Sequence, residues 1–516
     1  MYDYDYLDII NFFKDIESSF PVESLEYRNI KIWPIIKVDF YYQLVLNENK
    51  EPQAATNTKK NIKQKLGDVI LAWKNIQKIK AELEKEEQLY SNIKSVFSNK
   101  KKYKNVFITP SSFSKTNSAN EIYNNQSEPF LNTLRDKDST LVLEFQHANI
   151  ENKSTGERNI DYLIQRSKIA LKKRIFKNYI FSLLSLGEKN ELSPLEEKLK
   201  VYLGNSGRKV MVDFEKIKIE IDSIICLKDE FTKLLENIKP DFVIYPVYIN
   251  HESFAVTLAA KELNIKTIEM QHGVYSHPIY IYHQNTFNSE QGYELIPNYF
   301  FSWDKEQANL INTWSKKTKS HIAFAYGINP INYWRMNTKN NYQSSISKLE
   351  AILGRTDIIH VLFTISEYVD EKLATLIAAT KNKCFWYIRN HPRASAFNQH
   401  LMQKLIAKLN EEQCDNYEIE NSTNCFLYPL LEKMDYHLTI SSSVACESIE
   451  MGITTIVIDS YGIILYKDLY EKNPNIYFSE DTSTILNYID KKPTKKSLNN
   501  ELNINYFEDF IIDKNL

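Results

Sequence analysis

Glycine is scarce in this chain, with 11 among 516 residues. Neither GxGxxG nor GxxxxGK[ST] occurs, so a glycine-rich phosphate loop of the dinucleotide or P-loop kind is excluded. Cysteine is rarer still. The five thiols, Cys226, Cys384, Cys414, Cys425 and Cys446, include no CxxC pair, which argues against a zinc site or a disulfide framework. Most stand in apolar runs and read as buried thiols. No apolar stretch reaches the roughly 18 residues of a membrane span. The opening MYDYDYLDII is acidic and aromatic, unlike a signal peptide, and a cytoplasmic protein is expected. Net charge is −2, so no global field points to nucleic acid. What is abundant is aromatic: 33 tyrosines and 26 phenylalanines, which weigh against disorder.

The stretch around which the rest is organised is Leu438–Gly452, LTISSSVACESIEMG. The apolar run from Tyr436 to Ile440 predicts a buried parallel strand. Ser441, Ser442 and Ser443 follow, then a short helix from Val444 to Met451. Gly452 closes that helix as a C′ residue, and a second apolar run, Ile453–Ile458, begins at once. This is one βαβ unit of a doubly wound sheet, in which ligands sit beyond the carboxyl ends of the strands. A hydroxyl-rich turn at a helix N-terminus suits a phosphate, and Glu447, one turn on, can accept both hydroxyls of a ribose. The serines could equally just cap the helix.

Two further turns lie at strand ends. Arg389-Asn390-His391-Pro392 ends the run CFWYI. Pro392 keeps His391 out of the helical region, and near a phosphate Arg389 and a protonated His391 would both be useful. In the first half, Glu269-Met270-Gln271-His272-Gly273 ends a strand, and Gly273 is expected to allow a tight turn presenting Gln271 and His272. Upstream, Asn250-His251-Glu252-Ser253 lies between a strand and a helix. Each of these two turns offers a histidine near a carboxylate, the equipment of general acid–base work. Asp3-Tyr4-Asp5 has the letters of a DxD metal motif but lies far from any strand end, and His277-Pro278 reads as a turn; no metal ligands are assigned.

The predicted strands are Asn105–Thr109, Thr140–Phe145, Asp241–Val247, Lys266–Met270, Asn298–Trp303 and His321–Ala325, then Ile358–Thr364, Cys384–Arg389, Tyr417–Glu420, Tyr436–Ile440, Ile453–Ile458 and Asn475–Phe478. Residues 1–50 and most of 160–236 read as helical. So does Asn61–Val96, whose Ile62, Leu66, Val69, Trp73, Ile76 and Leu83 recur at helical spacing opposite lysines. That face is either solvated or suited to an anionic membrane. A basic patch runs from Lys168 to Lys177. Residues 335–350 are polar and read as a linker. The expected organisation is α/β: an acceptor-binding Rossmann-like domain with helical elaboration at 1–335, a nucleotide-binding Rossmann-like domain at 346–490, and a tail at 491–516 that packs back on the body.

These motifs resemble the GT-B glycosyltransferases of bacterial capsule and lipopolysaccharide synthesis. Those that use CMP-activated ulosonic acids such as sialic acid, Kdo or pseudaminic acid share an HP motif and a serine-rich motif in the C-terminal domain. Here His391-Pro392 and Ser441-Ser442-Ser443 with Glu447 match them. The Gln271–Gly273 turn resembles capsule polysaccharide proteins and, more loosely, teichoic acid glycerophosphotransferases. Tyr326-Gly327-Ile328-Asn329-Pro330 resembles the segment before the interdomain linker, with an extra isoleucine. FPVESLEYRNIKIWP has a loose similarity to capsule enzymes. The resemblance covers roughly 240–490.

It implies two Rossmann-like domains facing across a cleft, a CMP-sugar donor, a glycan or glycolipid acceptor, and no metal or other cofactor. Arg389 and His391 would steady the leaving phosphate, the serines would donate to it, and Glu447 would hold the ribose. The base or nucleophile would come from the first domain: Glu252 or His272, with His251 and Glu269 behind them. Peripheral contact with the inner membrane or with a capsule assembly complex is compatible with this. The rivals are a CDP-alcohol polyol-phosphate transferase, a nucleotide-sugar epimerase of the same fold, and a non-catalytic nucleotide-binding scaffold.

Overall fold

The computed structural model describes residues 6–46, 102–110, 114–116, 122–124, 126–146, 162–165, 193–206, 210–277, 290, 292–318, 320–327, 329–337, 344–365, 372–390, 396–491 and 506–516. The expected helix Asn61–Val96, the Lys168–Lys177 patch, Asp3-Tyr4-Asp5 and His391-Pro392 lie outside the described residues.

Helices Tyr6–Ser19 and Trp33–Leu46 flank a small hairpin, β1 (Glu26–Tyr27) and β2 (Ile30–Lys31). The two helices are fastened by a buried ion pair: Lys37 Nζ lies 2.9 Å from Glu17 Oε1, which also accepts the Trp33 indole N–H at 3.1 Å. Burial lowers the Lys37 pKa, while Glu17 opposes that shift. Helix Tyr6–Ser19 packs on helix Ser460–Tyr470 of the second domain.

The first sheet holds β3 (Asn105–Pro110), β6 (Thr140–Gln146), β7 (Tyr162–Gln165), β8 (Phe242–Tyr245), β9 (Lys266–Met270), β10 (Tyr299–Ser302) and β11 (Ile322–Ala325). A hairpin of β4 (Ser114–Thr116) and β5 (Ile122–Asn124) stands apart. The order is β11-β10-β9-β8-β3-β6-β7, every neighbouring pair parallel. Strands such as Phe242–Tyr245 are buried at every position, as a sheet covered on both faces requires. One cover is helix Phe214–Ile238 packed on His251–Glu262. On the other face Phe107, Phe130, Phe242 and Phe301 form a separate core with Phe507 and Ile511 of the C-terminal helix Phe507–Asp513.

The second sheet holds β12 (Ile359–Thr364), β13 (Cys384–Arg389), β14 (Tyr417–Glu418), β15 (Tyr436–Thr439), β16 (Thr454–Val457) and β17 (Ile476–Phe478). Its order is β14-β13-β12-β15-β16-β17, again all parallel. Two doubly wound parallel sheets in one chain make the fold α/β, the pair of Rossmann-like domains of a GT-B architecture.

Three expectations are refined by the structure. The described part of 160–236 is mostly helical as read, but the list of strands lacked Tyr162–Gln165, the edge strand β7. Residues 335–350, read as a linker, are structured where described, because helix Asn329–Asn337 runs into them and the turn Ser344–Leu349 buries Ile346 and Leu349. Strand β14 stops at Glu418 rather than Glu420. The Glu418 carboxylate accepts the N–H groups of Asn421 and Ser422 at 2.5 and 2.7 Å and so starts a short helix there.

Candidate functional site

In the second sheet the chain winds outward from β12 to β14, then returns and winds the other way from β15. The reversal lies between β12 and β15, where diverging connections open a crevice at the strands' carboxyl ends. Thr364 and Thr439 are paired there, and the serine turn follows directly.

This turn is braced from beneath. Thr439 Oγ1 donates to the Thr364 carbonyl at 2.9 Å and accepts the Ser442 N–H at 3.0 Å. The Tyr466 hydroxyl reaches the carbonyls of Ser441 and Ser442 at 3.0 and 2.7 Å. His437 Nε2 is bonded to Thr364 Oγ1 at 2.8 Å, and burial pushes its pKa down to about 3, so the ring is neutral. Helix Val444–Glu450 has seven residues. Ser443 makes no side-chain cap, and Ser442 Oγ accepts the Val444 N–H only at 3.4 Å. Capping therefore does not account for three serines. Gly452 ends the helix at φ +74°, with its N–H on Ile449 and that of Ile453 on Ser448.

Glu447 lies half-buried on the turn after Ser443. Its Oε1 accepts the Tyr428 hydroxyl at 2.5 Å, and the Tyr428 ring packs against Trp334 of helix Asn329–Asn337, centroids 6.0 Å apart. The connection between the domains thus reaches the carboxylate expected to hold a ribose. Arg389 also has a structural task at the end of β13. Its Nη1 donates to the carbonyls of Ser422 and Cys425 at 2.5 and 2.8 Å, closing the carboxyl end of helix Glu420–Asn424, whose last carbonyls lack helical partners. His391 and Pro392 lie outside the described residues.

In the first sheet the reversal falls between β3 and β8. Asn250, His251 and Glu252 follow β8, so this turn stands at the equivalent crevice. Asn250 caps helix His251–Glu262 by accepting the Ser253 N–H at 2.8 Å. His251 Nε2 is 2.6 Å from Glu220 Oε1, which turns it toward helix Phe214–Ile238. Glu252 is 8% exposed. Sequence reading missed a third group at this edge. Thr109 Oγ1 donates to Asn124 Oδ1 and Asn124 Nδ2 to Glu144 Oε2, both at 3.4 Å, and all three are buried. A carboxylate inside the apolar run Thr140–Phe145 was the available signal.

Glu269 is poorly placed to act as a base. It sits in mid-sheet between Tyr245 and Phe300, fully buried, and burial raises its pKa well above the carboxylate range against the opposing Tyr248 N–H. Gln271 is not presented outward either. It is buried, its Oε1 accepting the Trp303 N–H at 2.7 Å and its carbonyl the Trp303 indole N–H at 2.9 Å. Gly273 is not among the left-handed glycines. The turn is held by Gln271 Nε2 on the Gly273 carbonyl at 2.8 Å, which leaves half-buried His272 at its tip.

The two domains meet beside these turns. Asp304 caps helix Lys305–Trp314, and its Oδ2 accepts the Tyr470 hydroxyl at 2.6 Å. Gln307 Nε2 donates to the same hydroxyl at 3.0 Å, and Cys446 Sγ lies 3.5 Å from it.

No protein-family model matches this sequence, and no curated protein matches it either. Solved structures do. A UDP-GlcNAc 2-epimerase from Neisseria meningitidis, bound to UDP-GlcNAc, is 13% identical at a TM-score of 0.46, covering 79% of this chain and 98% of its own. A glycosyltransferase from Rickettsia africae is 13% identical at 0.42, covering 80% and 100%. Anabaena HepE, in complex with UDP and glucose, is 12% identical at 0.41, covering 80% and 95%.

The strand orders above, rather than these distant likenesses, define the fold. Among the described residues no cluster of three or more His, Cys, Asp or Glu could hold a metal ion, the five cysteines form no disulfide, and no helix is long and apolar enough to cross a membrane.

Proposed function

We propose that this protein is a glycosyltransferase that moves a ulosonic acid from a CMP-sugar to a glycan or glycolipid acceptor. The observation that carries this reading is the braced serine turn at the topological switch point of the second sheet, with Glu447 one turn beyond it. The match of that turn, with His391-Pro392, to the motifs of CMP-ulosonic-acid transferases supplies the donor class.

In this reading CMP lies on the second domain, phosphate toward Ser441–Ser443 and ribose toward Glu447. Arg389 fixes the chain after β13 through its Nη1 and adds positive charge at the phosphate end of the crevice. An acceptor hydroxyl oxygen attacks the anomeric carbon, the bond from that carbon to the phosphate oxygen breaks, and CMP leaves as a phosphate monoester. The acceptor's proton passes to Glu252 or His272 of the first domain. His251, hydrogen-bonded to Glu220, stays behind them, and Glu269, buried in its strand, is the weakest of the four.

Calorimetric titration with CMP, UDP and CDP, followed by assay of CMP release from a CMP-ulosonic acid, tests the proposal. CMP is expected to bind best and to be released slowly even without acceptor. Preference for UDP, or binding of CMP with no release from the sugar nucleotide, would overturn it.

A further inference from the structure

Helix Ser460–Tyr470 touches the serine turn directly and is linked to the turn after β9 through Asp304 and Gln307. Near its start, Gly462 lies so close to Ile440 that a Cβ there would stand 1.7 Å from the Ile440 carbonyl oxygen. One turn later Tyr466 holds the carbonyls of Ser441 and Ser442. At its last residue, Tyr470 bonds to Asp304 and Gln307 of the first domain.

From there the connections continue to the turn after β9. Gln307 Oε1 accepts the Tyr275 N–H at 3.0 Å, and Trp303, next to Asp304, is bonded twice to Gln271. Gln307 is fully buried and Tyr470 is 6% exposed. Burial holds the Tyr470 hydroxyl well above its usual range and raises the Asp304 carboxyl. Tyr470 therefore stays protonated and is the donor toward Asp304. In a dry site such bonds are stronger and costlier to lose than in water.

We infer that Tyr470 is a positioning residue: through Asp304 and Gln307 it sets where the Gln271–Tyr275 turn stands relative to the serine turn. A ligand on one turn is then felt at the other, a corollary that rests on the nucleotide reading, whereas the positioning itself does not.

The test is hydrogen–deuterium exchange by mass spectrometry on the full chain, wild type against Tyr470→Phe, with and without CMP. Phenylalanine keeps the packed ring and removes only the hydroxyl. Without CMP, peptides covering 271–277 and 301–307 are expected to exchange about tenfold faster in the variant, while β13 stays unchanged. With CMP, wild type should gain protection at both turns and the variant at the serine turn alone. Unchanged exchange at 271–277 in the variant would overturn the inference. So would faster exchange throughout, β13 included, since the hydroxyl would then be a general stabilising group. If CMP protects nothing in wild type, it is the nucleotide reading that fails, and the arm without CMP still decides the role of Tyr470.

Discussion

The Tyr428 hydroxyl fixes one carboxylate oxygen of Glu447 at 2.5 Å, so the carboxylate proposed to hold a ribose is oriented before any ligand arrives. Glu447→Ala removes a charge-assisted acceptor worth about 1.5–3 kcal/mol. CMP affinity should fall roughly ten- to a hundred-fold, with thermal stability little changed. Tyr428→Phe removes only the orienting bond and should weaken CMP less, by about three- to tenfold. Calorimetry on both variants checks this, and an unchanged dissociation constant for Glu447→Ala would take that residue out of the site.

Gly462→Ala should be severe for a reason unrelated to helix propensity. Its methyl would meet the Ile440 carbonyl oxygen at 1.7 Å and Val457 Cγ1 at 2.5 Å. Helix Ser460–Tyr470 must then move off the strand end and take Tyr466 away from the serine turn. Overpacking of this kind costs about 1–3 kcal/mol or more. Urea unfolding should show the loss, and CMP binding should weaken with it.

Glu252→Gln and His272→Ala test the chemistry. Both stand at strand ends of the first domain, apart from the serine turn. Loss of a general base lowers turnover by about 10²–10⁴-fold, so one of the two should lose at least a hundredfold in kcat and keep its CMP affinity. Should both retain more than roughly a tenth of wild-type turnover, the base lies elsewhere.

Two buried histidines set a pH dependence of stability. Burial pushes His437 and His321 down to about 3 from an ordinary 6.5, His321 also under the charge of Lys261. The native state keeps both neutral, whereas the unfolded chain takes up protons once the pH drops below about 6.5. Their contribution is present above that value and is lost as pH falls toward 3. Between pH 7 and pH 5 each should remove about 2 kcal/mol. Thermal melts across that range should show a steep fall, and a flat profile would contradict the burial described.

Strand periodicity made much of the fold legible. Lys266–Met270 and Cys384–Arg389 are strands with the bounds read from sequence, and Gly452 ends its helix as its position suggested. Local pattern failed where a distant partner decides direction. Arg389, Gln271 and Glu269 stand at strand ends in sequence, yet Arg389 turns to carbonyls 33 and 36 residues away and Gln271 to Trp303, 32 away. Nothing in composition relates Asp304 to Tyr470, 166 residues on. Edge strand β7 was missed because a four-residue run beside lysine-rich sequence satisfies a helical pattern as well.

The first and last described helices each pack on the domain at the other end of the described chain. Helix Tyr6–Ser19 packs on a helix of the second domain, and Phe507 of the last helix fills the core of the first sheet, touching Phe130, Phe242 and Phe301. Translation normally lets an early domain fold while later ones are still being made. Here the first sheet lacks one of its core aromatics, worth about 1.5–3 kcal/mol, until nearly the whole described chain has left the ribosome. The opening helix likewise waits for its partner at 460–470. Neither the first sheet's core nor the seat of helix Tyr6–Ser19 is complete until these distant segments have been made, and damage to either helix is felt in the domain it packs on.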